Sequence, residues 1–260
     1  MKNLIVVLMM FVASSLATAG EEIKYSIGDT EFTGYIARPD HADGKTSLGA
    51  VLVVHEWWGH NQYVRDRADM LAKLGYVALA VDMYGGGKLA DHPKTAGKFA
   101  GEVKKNMDEG ERRFKAGLDI LSSQPGVAAD KIGAIGYCFG GGVVLEMARR
   151  GLPLASVASF HGSLGGLSPV SPGSIGTKVL VLNGADDPFI KPEQISQFKN
   201  DMDKAGISYD FINYPEAVHS FTNKGATEIG KKFGIPVAYN ADADKQSWEA
   251  MKALFEETLK

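Results

Sequence analysis

The sequence predicts an α/β fold, with a mostly parallel, twisted sheet that carries helices on both faces. Apolar segments that do not alternate with polar residues, such as 50–54 and 76–81, are typical of strands covered on both sides. Segments with helical spacing follow such strands in turn along the chain, which indicates parallel strands joined by helices. We find neither an internal repeat nor a second domain boundary, so we expect one domain over residues 20–260.

Apolar and polar residues alternate in the first two segments, 23–27 and 32–37. Gly28 and Asp29 lie between the segments, and the pattern predicts an antiparallel hairpin. Helical spacing over 63–74 ends before a glycine that suits a helix C-cap. Further strands are predicted at 132–136, 157–160, 179–183 and 209–214, and further helices at 101–121, 140–150, 192–204 and 243–259. The segment 85–98 is predicted to be a flexible loop that borders the ligand site.

The N-terminus has the pattern of an export signal. Lys2 supplies a positive charge, residues 4–13 form an apolar run, and small residues ending at Ala19 form a cleavage site. Ser14 and Ser15 interrupt the apolar run before it reaches the length of a membrane span. We therefore expect residues 1–19 to be a cleaved signal peptide, and the mature protein to be periplasmic or secreted without a membrane contact.

The composition excludes several classes of partner. The 260 residues contain 28 Lys and Arg against 31 Asp and Glu, a net charge of -3, which argues against binding to nucleic acid or anionic membranes. The single cysteine, Cys138, excludes an internal disulfide framework and any multi-cysteine metal cluster. We expect neither a metal nor a cofactor.

The candidate nucleophile is Cys138. The segment Gly136-Tyr-Cys138-Phe-Gly140 lies between a predicted strand and a predicted helix, and it has the Gly-x-nucleophile-x-Gly spacing of a nucleophile elbow with cysteine in place of serine. A Cβ atom at either glycine would collide with neighbouring backbone in such a turn. The helix N-terminus would favour a thiolate there. The alternative is a small buried hydrophobe, which would need neither the glycines nor the junction.

An acid and a histidine follow in the order that hydrolases with this elbow use. Asp187 comes just after the strand at 179–183, with Asp186 as the alternative acid. His219 follows the last predicted strand and is the only histidine after that acid. We expect His219 to accept the thiol proton and Asp187 to orient its ring. His161, at another strand end, is expected to line the pocket without taking part in a chemical step.

The segment HEWWGH resembles a zinc-protease signature, but its second histidine is His60, five residues after His55 instead of four, and the segment continues a strand. A zinc site is therefore not expected. Aromatic residues near the candidate catalytic positions either line an apolar acyl pocket or belong to the core, and these are Trp57, Trp58, Tyr84, Phe139 and Phe221.

Four motifs, in chain order VHEWWG, GYCFGG, GADDPF and AVHSF, together with the C-terminal run 239–259, resemble the dienelactone hydrolase family of the α/β-hydrolase fold. The resemblance covers nearly all of the mature chain. It implies a catalytic triad of Cys138, Asp187 and His219.

The resemblance also implies roles for residues around the triad. Glu56 matches the family's auxiliary carboxylate, which contacts the resting thiol and releases it when substrate arrives. The backbone N–H groups of Trp57 and Phe139 match the oxyanion hole, where two preorganised donors would stabilise the charge that develops on the carbonyl oxygen.

The chain departs from the family at two positions. Family members that act on carboxylated lactones hold the substrate carboxylate with two arginines, and the matching positions here are Gly86 and Asn223. Glycine and asparagine cannot form a bidentate carboxylate clamp. We therefore expect neutral esters or lactones to be preferred.

The sequence thus predicts an exported cysteine hydrolase that cleaves small carboxylic esters or lactones through an acyl-thioester intermediate. One alternative is a non-catalytic binding or redox-sensing protein that uses Cys138 as an oxidisable thiol. Another is a hydrolase of thioesters, peptides or organophosphates, because pocket shape decides the substrate. The sequence leaves open whether the protein is a monomer or a dimer.

Overall fold

The computed structural model describes residues 20–40, 47–170 and 176–260, so the predicted signal peptide lies outside the described residues. Within them, eight strands form one sheet in the order β1-β2-β4-β3-β5-β6-β7-β8. The strands are β1 Glu21–Ile27, β2 Thr30–Ala37, β3 Leu48–Val54, β4 Val77–Val81, β5 Val127–Tyr137, β6 Ser156–Phe160, β7 Lys178–Gly184 and β8 Tyr209–Tyr214. The six strands from β4 to β8 in this order run parallel to one another, which confirms the predicted mostly parallel sheet.

The antiparallel part of the sheet is the predicted hairpin. β1 pairs with β2 from Glu21 opposite Ile36 to Ile27 opposite Thr30, and β2 then pairs antiparallel with β4. Gly28 in the turn has a φ of 58°, a conformation that glycine adopts without strain.

The helices cover both faces of the sheet, as predicted. They are α1 Gln62–Lys73, α2 Pro93–Lys105, α3 Met107–Ser122, α4 Phe139–Arg149, α5 Pro192–Ala205, α6 Ala226–Phe233 and α7 Ala241–Thr258. Buried residues of α2 to α5 pack with Leu52 and Val54 on one face, and those of α1 and α7 pack with Val51 and Val53 on the other. Because both faces of β3 are buried, its sequence is continuously apolar. No helix in the described part of the chain is long and apolar enough to cross a membrane.

The predicted helix over 101–121 is wrong, because the chain forms two helices there. Asn106 separates α2 from α3 with φ -128° and ψ 68°, which are not helical, and its side chain accepts a hydrogen bond from the Glu109 N–H at 3.4 Å. The predicted loop over 85–98 is also too long. Pro93 opens α2, and the preceding His92 accepts a hydrogen bond from the Lys94 N–H. Helix α6 was not predicted.

We predict that Phe255→Ala lowers the free energy of unfolding by about 3 to 5 kcal/mol, the usual effect of removing a buried phenylalanine ring. The Phe255 ring is fully buried under α7 and packs edge-on against Tyr76 with 5.8 Å between ring centroids. Urea unfolding followed by circular dichroism measures the change. The control Lys245→Ala removes an exposed side chain of the same helix and is expected to change stability by less than about 0.5 kcal/mol. Equal effects of the two substitutions would contradict the assigned packing of α7.

Candidate active site

Five parallel strands end at the same edge of the sheet, and a polar or ionisable side chain follows each of them. Glu56 follows β3, Cys138 follows β5, His161 follows β6, Asp187 follows β7 and His219 follows β8. Ligands of parallel α/β sheets bind at this edge. The topology therefore brings together residues that are far apart in sequence.

The turn between β5 and α4 presents Cys138 at the first residue before the helix. Its φ of 54° and ψ of -111° lie outside the regions that most residues adopt, so the turn is strained. A Cβ atom at Gly136 would overlap the Gly140 carbonyl, and one at Gly140 would overlap the Val54 carbonyl. The strand and the helix can approach this closely only with glycine at both positions.

The ring of His219 is held by a carboxylate. Its Nδ1 donates to Asp187 Oδ2 at 2.7 Å, and the Phe189 N–H donates to Asp187 Oδ1 at 2.9 Å. Because both carboxylate oxygens are engaged, Asp187 fixes the orientation of the imidazole and leaves Nε2 for another partner. Asp187 is buried, whereas the neighbouring Asp186 is exposed, and the structure thus pairs Asp187 and not Asp186 with the histidine.

The charge state of His219 depends on both neighbours. Burial lowers its pKa, but attraction to the Cys138 thiolate and hydrogen bonds to Asp187 and Cys138 outweigh burial and raise the pKa to about 10. Cys138 and His219 line the same cavity. The geometry therefore favours an imidazolium beside the sulfur.

Glu56 is buried and faces the loop that carries His219. Its Oε1 accepts from Ser220 Oγ at 2.9 Å and its Oε2 accepts from Asn223 Nδ2 at 2.7 Å. Burial raises the pKa of Glu56 although these two hydrogen bonds oppose the shift. Among the described residues, the carboxylate forms no hydrogen bond to Cys138, so the thiol contact that the resemblance implies is not seen. Asn223, at the position where the resemblance places an arginine of members that act on carboxylated lactones, holds Glu56 instead.

His161 lies behind Cys138 and does not line the cavity. Its Nδ1 accepts a hydrogen bond from the Cys138 N–H at 3.1 Å, and its Nε2 lies 2.7 Å from Thr222 Oγ1. Burial lowers the pKa of His161 well below the usual value, so the ring is neutral. Because Nδ1 accepts, the proton is on Nε2 and is donated to Thr222. His161 thus links the turn that carries Cys138 to the loop that follows His219.

A cavity of about 190 Å³ opens beside the sulfur of Cys138. Its walls are mostly apolar, and they are formed by Trp57, Ala100, Lys104, Cys138, Phe139, Ser163, Phe189, His219 and Val237. Trp57 and Phe139, which the sequence left open between pocket and core, belong to these walls. An apolar cavity of this size suits a small acyl group.

Trp58, Tyr84 and Phe221, which the sequence also left open between pocket and core, do not line this cavity. Tyr84 donates its hydroxyl to the Trp57 carbonyl at 3.0 Å, and Trp58 packs edge-on against Trp57. Phe221 is fully buried.

The sequence reasoning missed most of the other wall residues. Phe189 follows the GADDPF aspartates, is 47% exposed, and lies edge-on to the His219 ring at 5.1 Å between centroids. Ala100 and Lys104 lie on α2, which the prediction merged with α3 into one helix over 101–121 and did not assign to the pocket. The His92-Pro93 pair, a cap followed by proline at the first helical position, is the signal that would have placed this helix.

Two backbone N–H groups are available at the cavity. Trp57 follows β3, and Phe139 is the first residue of α4, where helical N–H groups have no partner within the helix. Within the described part of the chain, neither N–H has a protein acceptor. Both residues line the cavity beside Cys138. These donors are therefore free to bind an oxygen of a ligand.

Both histidines of HEWWGH form hydrogen bonds with backbone groups. His55 Nδ1 donates to the Glu56 carbonyl at 2.5 Å and its Nε2 accepts from the Met83 N–H at 3.2 Å. His60 Nε2 lies 3.1 Å from the Ala80 carbonyl. In the residues that the structure describes, no group of three His, Cys, Asp or Glu side chains is placed to hold a metal ion.

Comparison with known proteins gives consistent matches over most of the chain. The sequence model of the "Dienelactone hydrolase family" matches residues 32–259. A solved structure named m3DLH is 35% identical with a TM-score of 0.83, over 93% of this chain and 98% of that one. A dienelactone hydrolase-like promiscuous phosphotriesterase from metagenomic libraries is 35% identical with a TM-score of 0.81, over 92% and 98%. A relative from Aquifex aeolicus (strain VF5), named "Putative carboxymethylenebutenolidase", is 26% identical over 93% of this chain and 100% of its own length.

We predict that the His219 ring stays protonated through neutral pH and titrates near pH 10, and that Cys138→Ser and Asp187→Asn each lower this value. The raised pKa stabilises the folded protein, and this contribution is complete below about pH 6.5 and is lost as the pH rises through about 10. Titration of the histidine ring signals by NMR measures the pKa. His60, whose pKa burial lowers to about 4, and His161 serve as internal references that remain neutral. An ordinary titration of His219 near pH 6.5 would contradict the ion pair.

Proposed function

Because the chain belongs to the dienelactone hydrolase family and is a hydrolase of ester or lactone bonds, we propose that it uses Cys138 as its nucleophile. The proposed substrates are small carboxylic esters or lactones, which are cleaved through an acyl-thioester. The observation that carries this proposal is the connected set of Cys138, His219 and Asp187 beside an apolar cavity.

In the first half of the proposed reaction, the Cys138 sulfur attacks the carbonyl carbon of the ester. The carbonyl oxygen becomes negatively charged, and the N–H groups of Trp57 and Phe139 donate hydrogen bonds to it. His219 then gives its proton to the leaving alcohol oxygen as the C–O bond breaks. The products of this half are the free alcohol and an acyl group bound to sulfur.

In the second half, His219 has lost its proton and acts as a base. It removes a proton from water, which attacks the thioester carbonyl at the same pair of backbone donors. The C–S bond breaks, the acid leaves, and the thiolate returns beside the imidazolium. Asp187 stabilises the charged ring in both halves and keeps its orientation. The proposed cycle requires no metal or cofactor.

The hydrogen-bonded arrangement favours catalysis over the redox-sensing alternative. A sensor thiol needs access and a lowered pKa, but it does not need an oriented acid and base or two unoccupied N–H groups at the same cavity. The residues Asp187, Trp57 and Phe139 would have no task in such a protein.

Phosphotriester hydrolysis is a second candidate activity. The dienelactone hydrolase-like relative from metagenomic libraries, 35% identical over 92% of this chain, is described as a promiscuous phosphotriesterase. Attack of the same thiolate on a phosphoryl centre would place the developing charge at the same two N–H groups. A neutral phosphotriester such as paraoxon belongs in the substrate panel for this reason.

We predict that Cys138→Ala and His219→Ala each lower kcat/KM for neutral aryl esters by at least about a thousandfold, because each removes a member of one catalytic unit. Spectrophotometric assays measure turnover, and circular dichroism checks that the fold is kept. Asp187→Asn is expected to reduce kcat strongly, whereas the control Asp186→Asn alters an exposed carboxylate and is expected to retain activity. Undiminished turnover by Cys138→Ala would exclude the proposed mechanism.

We also propose that the protein is exported and that residues 1–19 are removed on the way. The proposal rests on the positive charge of Lys2, the apolar run and the small residues before Gly20. Expression in a Gram-negative host followed by fractionation and mass spectrometry is expected to find a periplasmic or secreted protein that begins at Gly20. A chain that keeps Met1 in these fractions would contradict this assignment.

A further inference from the structure

A second cavity of about 380 Å³ meets the candidate active site at Lys104 and Ser163, which line both cavities. Lys104 Nζ lies 3.4 Å from Ser163 Oγ. The Ser163 N–H in turn donates to the Cys138 carbonyl at 3.4 Å. Ser163 therefore connects the ammonium group of Lys104 to the backbone of Cys138, and a small substrate can reach from one to the other.

The charge of Lys104 is not neutralised by the protein. In the part of the chain that the structure describes, no carboxylate lies within 4.0 Å of its ammonium group. The nearest acidic residue after it in sequence, Asp108, lies on the next helix and pairs with Arg150 at 2.8 Å. A cation that lacks a partner at the junction of two cavities favours an anionic ligand.

Arg150, the other cation that lines the second cavity, is already engaged by carboxylates, whose three negative charges outnumber its single positive charge. Arg150 lies 2.8 to 3.0 Å from three carboxylates, those of Asp108, Glu111 and Glu146. Glu146 also accepts a hydrogen bond from the Ser168 N–H at 2.8 Å. Lys104 is thus the lining residue whose charge is left for a ligand.

We propose that Lys104 and Ser163 bind a carboxylate carried at the far end of the ester substrate, so that the protein prefers half-esters of dicarboxylic acids. This inference rests on the proposed function, because it places the scissile carbonyl at Cys138. The expected preference for a neutral substrate then applies only to the part of the molecule around the scissile carbonyl. Gly86 and Asn223 still provide no clamp for a carboxylate on the lactone ring itself. A carboxylate several bonds away reaches Lys104 instead and leaves the apolar cavity to the acyl chain.

Lys104 also lies in the last turn of α2, where a lysine stabilises the helix dipole without any ligand. Lys104 and its neighbour Lys105 in the same turn are both exposed, but Lys105 lines neither cavity. Lys105→Met is therefore a matched control for Lys104→Met. Both variants lose one charge at the same helix end, and only one alters the proposed site.

The test compares aryl half-esters of linear dicarboxylic acids, from succinate to suberate, with the same compounds whose free carboxylate is methylated. In the unmodified protein, kcat/KM is expected to be higher for the half-ester, with a maximum at one chain length. Lys104→Met is expected to lower the ratio of the two kcat/KM values about tenfold, whereas Lys105→Met leaves it unchanged. Added salt is expected to reduce the ratio as well. A ratio that Lys104→Met does not change, or that Lys105→Met changes equally, would overturn the proposal.

Calorimetry separates this proposal from the proposed mechanism. In the Cys138→Ala background, the monoamides of the same diacids, from succinate to suberate, are titrated. At least one is expected to bind, and Lys104→Met is expected to weaken that binding about tenfold. If the unmodified protein fails to hydrolyse any ester, the proposed function fails, but this titration still decides whether Lys104 binds the carboxylate. Binding that is the same with and without Lys104 would exclude the site.

Discussion

The close approach of the α4 backbone to the ends of β3 and β5 determines the rest of the site. Gly140 lies against the carbonyls of Val54 and His55, and Gly136 lies against Gly140 itself. This approach forces Cys138 into a left-handed conformation that costs on the order of 1 to 3 kcal/mol. The Cys138 N–H donates to the Phe160 carbonyl at 3.0 Å, and neighbouring bonds of this kind hold the turn in place.

The loop that carries the histidine is tied to the fold from several directions. Glu56 holds it from the end of β3, and His161 holds Thr222 from the end of β6. Arg67 of α1 donates to the Thr222 carbonyl at 2.6 Å and to Asp244 of α7 at 2.7 Å. A loop lacks the regular backbone hydrogen bonds of a strand or helix, so these contacts hold His219 in place, as the proposed proton transfer requires.

The sequence was sufficient for the features whose signals are local. Continuous apolar segments identified the parallel strands, and the glycine spacing identified the turn at Cys138. The order of acid and histidine along the chain indicated His219 and one of two neighbouring acids, and the structure pairs Asp187 with the ring. The helix boundaries around Asn106 were predicted wrongly because the apolar spacing continues across this residue. Asn106 ends α2 and caps the start of α3. Both helix starts carry a side-chain cap, His92 and Asn106, which apolar periodicity does not reveal.

Other features could not be derived from one sequence. Glu56 and its partners Ser220 and Asn223 are separated by 164 and 167 residues, and no local pattern specifies such a pairing. The direction of an aromatic ring near a turn depends on packing, which is why Trp57 faces the cavity while Phe221 faces the core.

The placement of α2 has a consequence for how this site can change. The reactive groups sit on turns fixed by the sheet, whereas α2 supplies cavity wall from a separate helix bounded by His92 and Asn106. Evolution or protein engineering can therefore vary the surface of α2 to admit new substrates while the chemical machinery stays intact.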